Sequence, residues 1–149
     1  MRSLSDILGE VNSRIDCALA RSGRKRDEIE IIAVTKTHGE EVVREAWEAG
    51  LGIVGENKGQ EAIWKKAASV SGPSWHLMGH LQSNKVRQAL ETFDFIHSVD
   101  SVKLADRISF VAEDIGASPR ILLEVNVSGE KSKSGLKPSE TARTLEHIL

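Results

Sequence analysis

The sequence predicts an α/β fold built on a parallel sheet. Five short apolar runs recur along the 149 residues, and a segment with helical spacing of apolar residues lies between each pair of runs. The interval between successive runs is about 20–25 residues, enough for a strand, a helix and two short connections. This alternation is typical of right-handed βαβ units.

The predicted elements follow one another in a regular order. Apolar side chains at helical spacing predict a first helix over 4–19, with Ser3 able to cap its start and Gly23 suited to its end. Strands are predicted at 31–34, 52–55, 75–78, 93–99 and 120–127, and the last of them is the longest. Further helices are predicted around 42–47, 62–67, 86–90, 102–115 and 138–148.

Two architectures fit this order, an open doubly wound sheet and part of a (β/α)8 barrel. The chain stops at 146–149 in the middle of an apolar helical pattern, and no glycine, proline or basic turn closes that helix. A complete barrel needs eight strands and roughly 250 residues. We therefore expect residues 1–149 to form one incomplete domain, and both architectures stay open here. As part of a barrel, the chain would supply about five of the eight βα units.

Composition argues against several kinds of partner and site. The net charge of −2 gives no electrostatic reason to expect nucleic acid or an acidic membrane as a partner. Cys17 is the only cysteine, so neither an internal disulfide nor a cysteine-based zinc site can form. No apolar stretch is long enough for a signal peptide or a membrane span, which predicts a cytoplasmic protein.

Polar side chains collect where the predicted strands end. Hydrogen-bonding residues follow the five strands at 35–38, 56–57, 79–84, 97–100 and 126–130. In parallel α/β folds these ends meet at one face, where ligands bind. The alternative is that these loops are polar only because they are solvated, and patterning alone leaves both interpretations open.

Lys36 follows directly on the first apolar run. It shares side-chain parity with Ile32 and Val34, so a barrel would direct it into the mouth of the interior. Desolvation there disfavours the ammonium form, and a neutral amine is the nucleophile that forms a Schiff base with an aldehyde. The alternative is a lysine that extends from the strand end into solvent.

Two other patterns carry weaker signals. His76 and His80 are four residues apart, but they lie on a strand and its following loop, and no carboxylate or cysteine joins them in a metal site. The segment 129–135 is rich in glycine, serine and lysine but lacks the Walker spacing. It is either a loop that presents Lys133 to an anion or a solvated turn.

Five segments together carry a family resemblance. They are 33–37 (AVTKT), 55–61 (GENKGQE), 75–85 (WHLMGHLQSNK), 96–101 (IHSVDS) and 125–135 (VNVSGEKSKSG). In this order they resemble the pyridoxal phosphate homeostasis proteins, the single-domain proteins that are similar to the alanine racemase N-terminal domain. The resemblance implies a (β/α)8-type barrel that binds pyridoxal 5′-phosphate (PLP) in intracellular PLP homeostasis, without catalytic turnover.

The resemblance also implies roles for four residues. Lys36 would hold PLP as a Schiff base, Asn57 would lie beside the cofactor ring, His80 would lie at the mouth, and Lys133 would be near the site. Gly39 departs from the family, which usually has proline there, and Lys58-Gly59 replaces a bulkier pair. The family's phosphate-binding Met-Gly-Met-Ser and Arg-Ile-Gly segments would lie beyond Leu149, so we expect weak PLP binding by this chain.

The main alternative function is a PLP-dependent racemase-like enzyme. Racemases on this barrel use a second base, normally a tyrosine from an additional β domain, and this sequence contains no tyrosine. A scaffold protein in which Lys36 is incidental is the other alternative. The partners implied are PLP and the PLP-dependent apoenzymes that would receive it, and open sheet edges suggest self-association.

Overall fold

The computed structural model describes residues 3–149 and contains one sheet of five parallel strands. Each strand lies beside the preceding strand in the chain, in the order β1-β2-β3-β4-β5. A doubly wound sheet requires a reversal of strand order, whereas a (β/α) barrel winds in one direction. The strand order therefore decides for the barrel-type architecture. The strands are β1 (Ala33–Val34), β2 (Ile53–Glu56), β3 (Ser74–Leu77), β4 (Phe95–Val99) and β5 (Arg120–Leu123).

Residues 3–149 form six α-helices, in the chain order predicted. Ser3 caps the first helix through a reciprocal pair of hydrogen bonds with Asp6, and Gly23 ends it in the left-handed conformation. The helices are α1 (Leu4–Ser22), α2 (Glu40–Glu48), α3 (Gly59–Ala68), α4 (Val86–Thr92), α5 (Val102–Ile115) and α6 (Pro138–Ile148). None of the helices within 3–149 is both long and apolar enough to cross a membrane.

The two faces of the sheet differ in burial. One face packs on the helices, and its core consists of buried strand and helix residues such as Val54, Trp75, Ile96, Ile108 and Val111. Residues of the other parity are largely open, with Val34 46% and Leu122 49% exposed. We call this second side the open face. In a barrel this side is the interior.

Three predicted strands are shorter in the structure, and one of them is β4, which begins at Phe95 rather than at residue 93. Pairing between β1 and β2 begins at Ala33, so residues 31–32 are not part of the ladder. The fifth strand ends at Leu123 rather than at 127, and β4, with five residues, is the longest strand. The Glu124 N–H still donates to the Val99 carbonyl of β4, but the Glu124 carbonyl and the Asn126 N–H bond to Leu136, which returns after the 127–135 loop.

Candidate functional site

Lys36 leaves the sheet at the C-terminal end of β1, opposite Asn57. The register pairs Val34 with Gly55, and the Thr35 N–H donates to the Gly55 carbonyl at 3.0 Å. Lys36 is the second residue after β1, and Asn57 is the first residue after β2. Gly79, at the end of β3, packs against the Asn57 backbone so closely that an added Cβ would lie 2.8 Å from the Asn57 Cα. Three successive strand ends thus come together at one edge.

The environment of Lys36 differs from the sequence-based expectation. Its side chain is exposed, like that of Val34, and it makes no hydrogen bond or ion pair with any residue of 3–149. The predicted desolvation of the amine is therefore wrong for this chain. The physical reason is that no described segment covers the open face above β1. The amine is unpaired and accessible.

A buried ionic cluster lies beneath the Lys36 loop, on the helix side of the sheet. We call Lys65, Glu56, Glu61 and Thr35 the ionic cluster. Lys65 Nζ donates three hydrogen bonds of 2.7 Å, to the Thr35 carbonyl, Glu56 Oε1 and Glu61 Oε1. The Thr35 hydroxyl donates to Glu56 Oε1 at 2.6 Å. The side chains of Lys65 and Glu56 are completely buried, so this charged group is an internal part of the fold.

Electrostatic interactions within the cluster keep the Lys65 and Glu61 side chains ionised. Burial disfavours the Lys65 ammonium, but hydrogen bonds and charge attraction from Glu56 and Glu61 outweigh it and raise the pKa of Lys65. Hydrogen bonds from Lys65 and from the Thr37 N–H lower the pKa of Glu61. Both partners are therefore charged near neutral pH. One oxygen, Glu56 Oε2, is buried without a hydrogen-bond partner.

The turn after Lys36 is strained and tied to the same cluster. Thr37 has φ 68°, and it is the one non-glycine residue with positive φ in the described chain. A β-branched residue rarely adopts this conformation. The Thr37 N–H donates to Glu61 Oε1 at 2.7 Å, the same oxygen that accepts from Lys65. Sequence reasoning missed this arrangement, although the Glu61–Lys65 spacing of four residues on a helix was a usable signal.

Asn57 and His80 line a common cavity of about 500 Å³ between α3 and α4. His80 Nδ1 lies 3.0 Å from Asp100 Oδ2, so a carboxylate from the end of β4 orients the imidazole. Lys36 and Lys133 do not line this cavity. The cavity combines apolar side chains with polar ones, including Leu77, Leu81, Ala89, Phe93, Lys58, Gln82 and Lys85.

Lys133 is on an exposed loop and is paired locally. Its ammonium lies 2.6 Å from Glu130 Oε1. The loop is organised by Asn126, whose side chain donates to the carbonyls of Glu130 and Lys133 and accepts from the Gly129 N–H. No described contact joins Lys133 to Lys36, Asn57 or His80. The structure therefore groups Asn57 with His80 in one cavity, leaves Lys36 outside that cavity at the end of the neighbouring strand, and leaves Lys133 separate.

His76 has a partner that the sequence did not indicate. Its Nδ1 lies 2.9 Å from His97 Nε2, across β3 and β4, rather than near His80. Both rings pack against Phe95 on the open face, and the Arg120 guanidinium lies over Phe95. Burial lowers the pKa of both imidazoles, and the charge of His97 contributes at His76. Within 3–149, no group of three or more His, Cys, Asp or Glu side chains could hold a metal ion.

A family model described as "Alanine racemase, N-terminal domain" matches residues 11–149. The chain belongs to this family. Among curated relatives, the Pseudomonas aeruginosa protein named "Pyridoxal phosphate homeostasis protein" is 40% identical over 150 residues, which cover 99% of this chain and 65% of the relative. The chain thus spans about two thirds of the length of the curated relatives that it matches.

Solved structures agree with this family membership. PipY of Synechococcus elongatus, in its structure without PLP, superposes with a TM-score of 0.84 at 36% identity and covers 98% of this chain and 64% of PipY. PipY with PLP bound superposes with a TM-score of 0.76 at 40% identity over 89% of this chain and 61% of PipY. Alanine racemase of Clostridium difficile 630 matches at 14% identity and a TM-score of 0.70, over 91% of this chain and 36% of the racemase. At this low identity the match shows a shared fold alone.

Two predictions are confirmed by these findings. The resemblance to pyridoxal phosphate homeostasis proteins is confirmed by relatives of that name. The α/β fold of the alanine racemase N-terminal type is confirmed by the family model and by the superpositions. In this family member, the C-terminal ends of the parallel strands lie at one edge of the sheet, and Lys36 and Asn57 follow the ends of the neighbouring strands β1 and β2.

Proposed function

We propose that this chain binds PLP covalently through Lys36 and serves intracellular, cytoplasmic PLP homeostasis without catalysing a reaction. The observation that carries the proposal is family membership together with the position of Lys36, whose amine lies at the C-terminal end of β1 with no ion-pair partner among residues 3–149. Relatives named for PLP homeostasis and a PipY structure with PLP bound support it. PLP, when bound, supplies an aldehyde that a primary amine can attack.

The residues around Lys36 fit such a ligand. Asn57 is adjacent and offers an amide that can both donate and accept hydrogen bonds. His80, held by Asp100, lines the same cavity as Asn57. In this proposal Lys36 Nζ would form a C=N bond with the aldehyde carbon, and the aldehyde oxygen would leave as water. Asn57 would orient the ring, and His80 would close the side toward α4. Lys133 is assigned a secondary role, as a cation that would reach the ligand only after its ion pair with Glu130 opens.

Reductive trapping tests this function directly. The chain is incubated with PLP, reduced with borohydride, and digested for peptide mapping by mass spectrometry. We expect the label on Lys36 and its loss in Lys36→Ala, whereas Lys103→Ala, at an exposed position on α5, should retain it. Pyridoxal without phosphate measures how far labelling depends on the anion. Label spread evenly over the lysines, or retained in Lys36→Ala, would exclude the proposal.

The absence of catalysis is tested separately. The sequence has no tyrosine to supply the second base that barrel racemases use. We therefore expect no change in the optical rotation of L-alanine during incubation with the chain and PLP. Measurable racemisation would instead support a racemase-like enzyme.

Self-association and cofactor delivery complete the proposal. The strands β1 and β5 are the edges of the sheet, and exposed edges tend to pair with other chains. We propose that two copies associate through such an edge and that PLP-dependent apoenzymes receive the cofactor. Sedimentation should show a dimer whose population depends on concentration, and a compact monomer at all concentrations would rule out the association.

A further inference from the structure

Both peptide groups that flank Lys36 are fixed by the ionic cluster. On one side, the Thr35 carbonyl accepts from Lys65 Nζ at 2.7 Å. On the other side, the Thr37 N–H donates to Glu61 Oε1 at 2.7 Å. Lys65 also donates to this same Glu61 oxygen. The backbone of Lys36 is therefore held at two points by a buried group, while its side chain remains unbonded on the opposite side of the sheet.

The hydrogen bond from the Thr37 N–H to Glu61 is needed because the turn is unfavourable by itself. At φ 68° the branched side chain of Thr37 crowds the backbone, so this conformation persists only where the surroundings impose it. The direct restraint on the Thr37 amide is the Glu61 carboxylate. Lys65 in turn fixes that carboxylate, because its ammonium uses all three N–H groups within the cluster.

We propose that Glu61 and Lys65 are positioning residues for Lys36, because they impose the left-handed turn at Thr37 that sets how Lys36 leaves β1. This inference rests on the proposed function of Lys36 as the attachment point. Lys65 is completely buried. Glu61 lines the cavity that contains Asn57 and His80, but it acts on Lys36 through the Thr37 N–H, so neither residue needs to touch the cofactor. Their effect is transmitted through the backbone of a single turn.

A set of substitutions separates positioning from simple stabilisation. Glu61→Ala removes the acceptor for the Thr37 N–H, whereas Glu61→Gln keeps an amide oxygen at the same place and should preserve the turn. Glycine adopts positive φ without strain. Adding Thr37→Gly to Glu61→Ala should therefore restore the turn, whereas adding Thr37→Ala should not.

The first measurement requires no cofactor. Backbone ¹³C shifts of Thr37 report positive φ, and amide exchange reports whether its N–H is bonded. We expect a protected amide in the wild type and in Glu61→Gln, and both an unprotected amide and an extended or helical shift in Glu61→Ala. A Glu61→Ala chain that is folded by circular dichroism and keeps the wild-type Thr37 shift would overturn the proposal.

The second measurement uses PLP and borohydride trapping at Lys36. Glu61→Ala should lower the apparent affinity for PLP at Lys36 about tenfold, or about 1.4 kcal/mol, while Glu61→Gln and the Thr37→Gly double variant recover most of it. Lys65→Met removes the ammonium that fixes the Glu61 carboxylate and should lower this affinity in the same direction. If Lys65→Met does not fold, the Glu61 series decides alone. Labelling of Lys36 that is equal in all folded variants would refute positioning. A wild-type chain that is unlabelled at Lys36 would refute the proposed function instead, and the Thr37 shifts would still test the hold on the turn.

Discussion

Replacement of Lys65 by methionine removes the centre of the ionic cluster while keeping most of the side-chain volume. Lys65 and Glu56 are fully buried, and Lys65 donates three hydrogen bonds of 2.7 Å. Without the ammonium, Glu56 keeps only the Thr35 hydroxyl as a donor. Breaking a buried pair by removing one partner costs about 3–5 kcal/mol. Because Glu61 is 24% exposed and water can solvate it, we expect about 3 kcal/mol.

A double-mutant cycle separates two contributions to the lost stability. One is the cost of leaving the Glu56 carboxylate buried without Lys65, and the other is the interaction energy between the two side chains. In Lys65→Met with Glu56→Gln, the buried position no longer carries an uncompensated carboxylate, and the amide oxygen can still accept from Thr35. We expect the double variant to be about 1–2 kcal/mol more stable than Lys65→Met alone. The neighbouring Lys66→Met is the control, because Lys66 donates a single bond to the Thr92 carbonyl and should cost about 1 kcal/mol.

The assay is urea unfolding at pH 7, followed by the fluorescence of the tryptophans, of which Trp75 is buried, and by circular dichroism. Equal slopes of free energy against urea are required before the values are compared. Two results would show that the cluster is not the buried ion pair inferred from the geometry. One is a loss of less than about 1 kcal/mol of unfolding free energy in Lys65→Met, and the other is additive effects of the Lys65 and Glu56 substitutions.

The pH dependence of the same variants provides a second test. The Lys65 ammonium, followed by the Thr37 N–H, lowers the pKa of Glu61 below its ordinary value of 4.5. A carboxylate with a depressed pKa contributes stability that is present above the unfolded-state pKa and is lost as pH falls through the folded-state pKa. The wild-type chain should therefore lose stability on acidification below pH 4.5. Lys65→Met should show a smaller loss over that window.

Three further outcomes are expected. Gly79→Ala should displace the Asn57 backbone, because the added Cβ would lie 2.8 Å from the Asn57 Cα. The folded variant should therefore show less PLP trapping at Lys36, and unchanged trapping would contradict this. Asn126→Ala should cost about 1–2 kcal/mol and raise amide exchange through 128–134, and unchanged exchange there would show that its side chain does not organise the loop. Burial lowers the pKa of His76 and His97 below 6.5, so stability should fall as pH drops below 6.5, and less so in His97→Asn; equal slopes would refute the assignment.

The order of helices and strands along the chain was predictable because each element has its own local sequence signal. Ser3 and Gly23 bound the first helix as capping chemistry requires. The apolar runs at 75–78 and 93–99 fall on β3 and β4 within two residues of their ends. The choice between a barrel and a doubly wound sheet depended on strand order. Order is a non-local property, so periodicity left both architectures open.

Side-chain partners across the sheet were less predictable. His76 was considered with His80, its neighbour in sequence, but it bonds to His97 on the adjacent strand. The exposure of Lys36 also depends on a non-local fact, namely whether any segment covers the open face. Parity placed Lys36 and Val34 on one side of the strand, but parity does not say what lies opposite that side.

Strand alternation connects the exposed amine with the ionic cluster. Because successive residues point to opposite faces, Thr35 contributes its side chain to the helix side while Lys36 remains on the open side. The charges that order the turn are therefore separated by the sheet from the amine that would react. An adjacent ion pair on the open side would compete with a ligand for Lys36, whereas a buried one acting through the backbone restrains it without occupying it. The Glu61 carboxylate joins Lys65 to the Thr37 amide. Substitution of Glu61 therefore interrupts the restraint on the Lys36 backbone without changing a side chain on either face of β1.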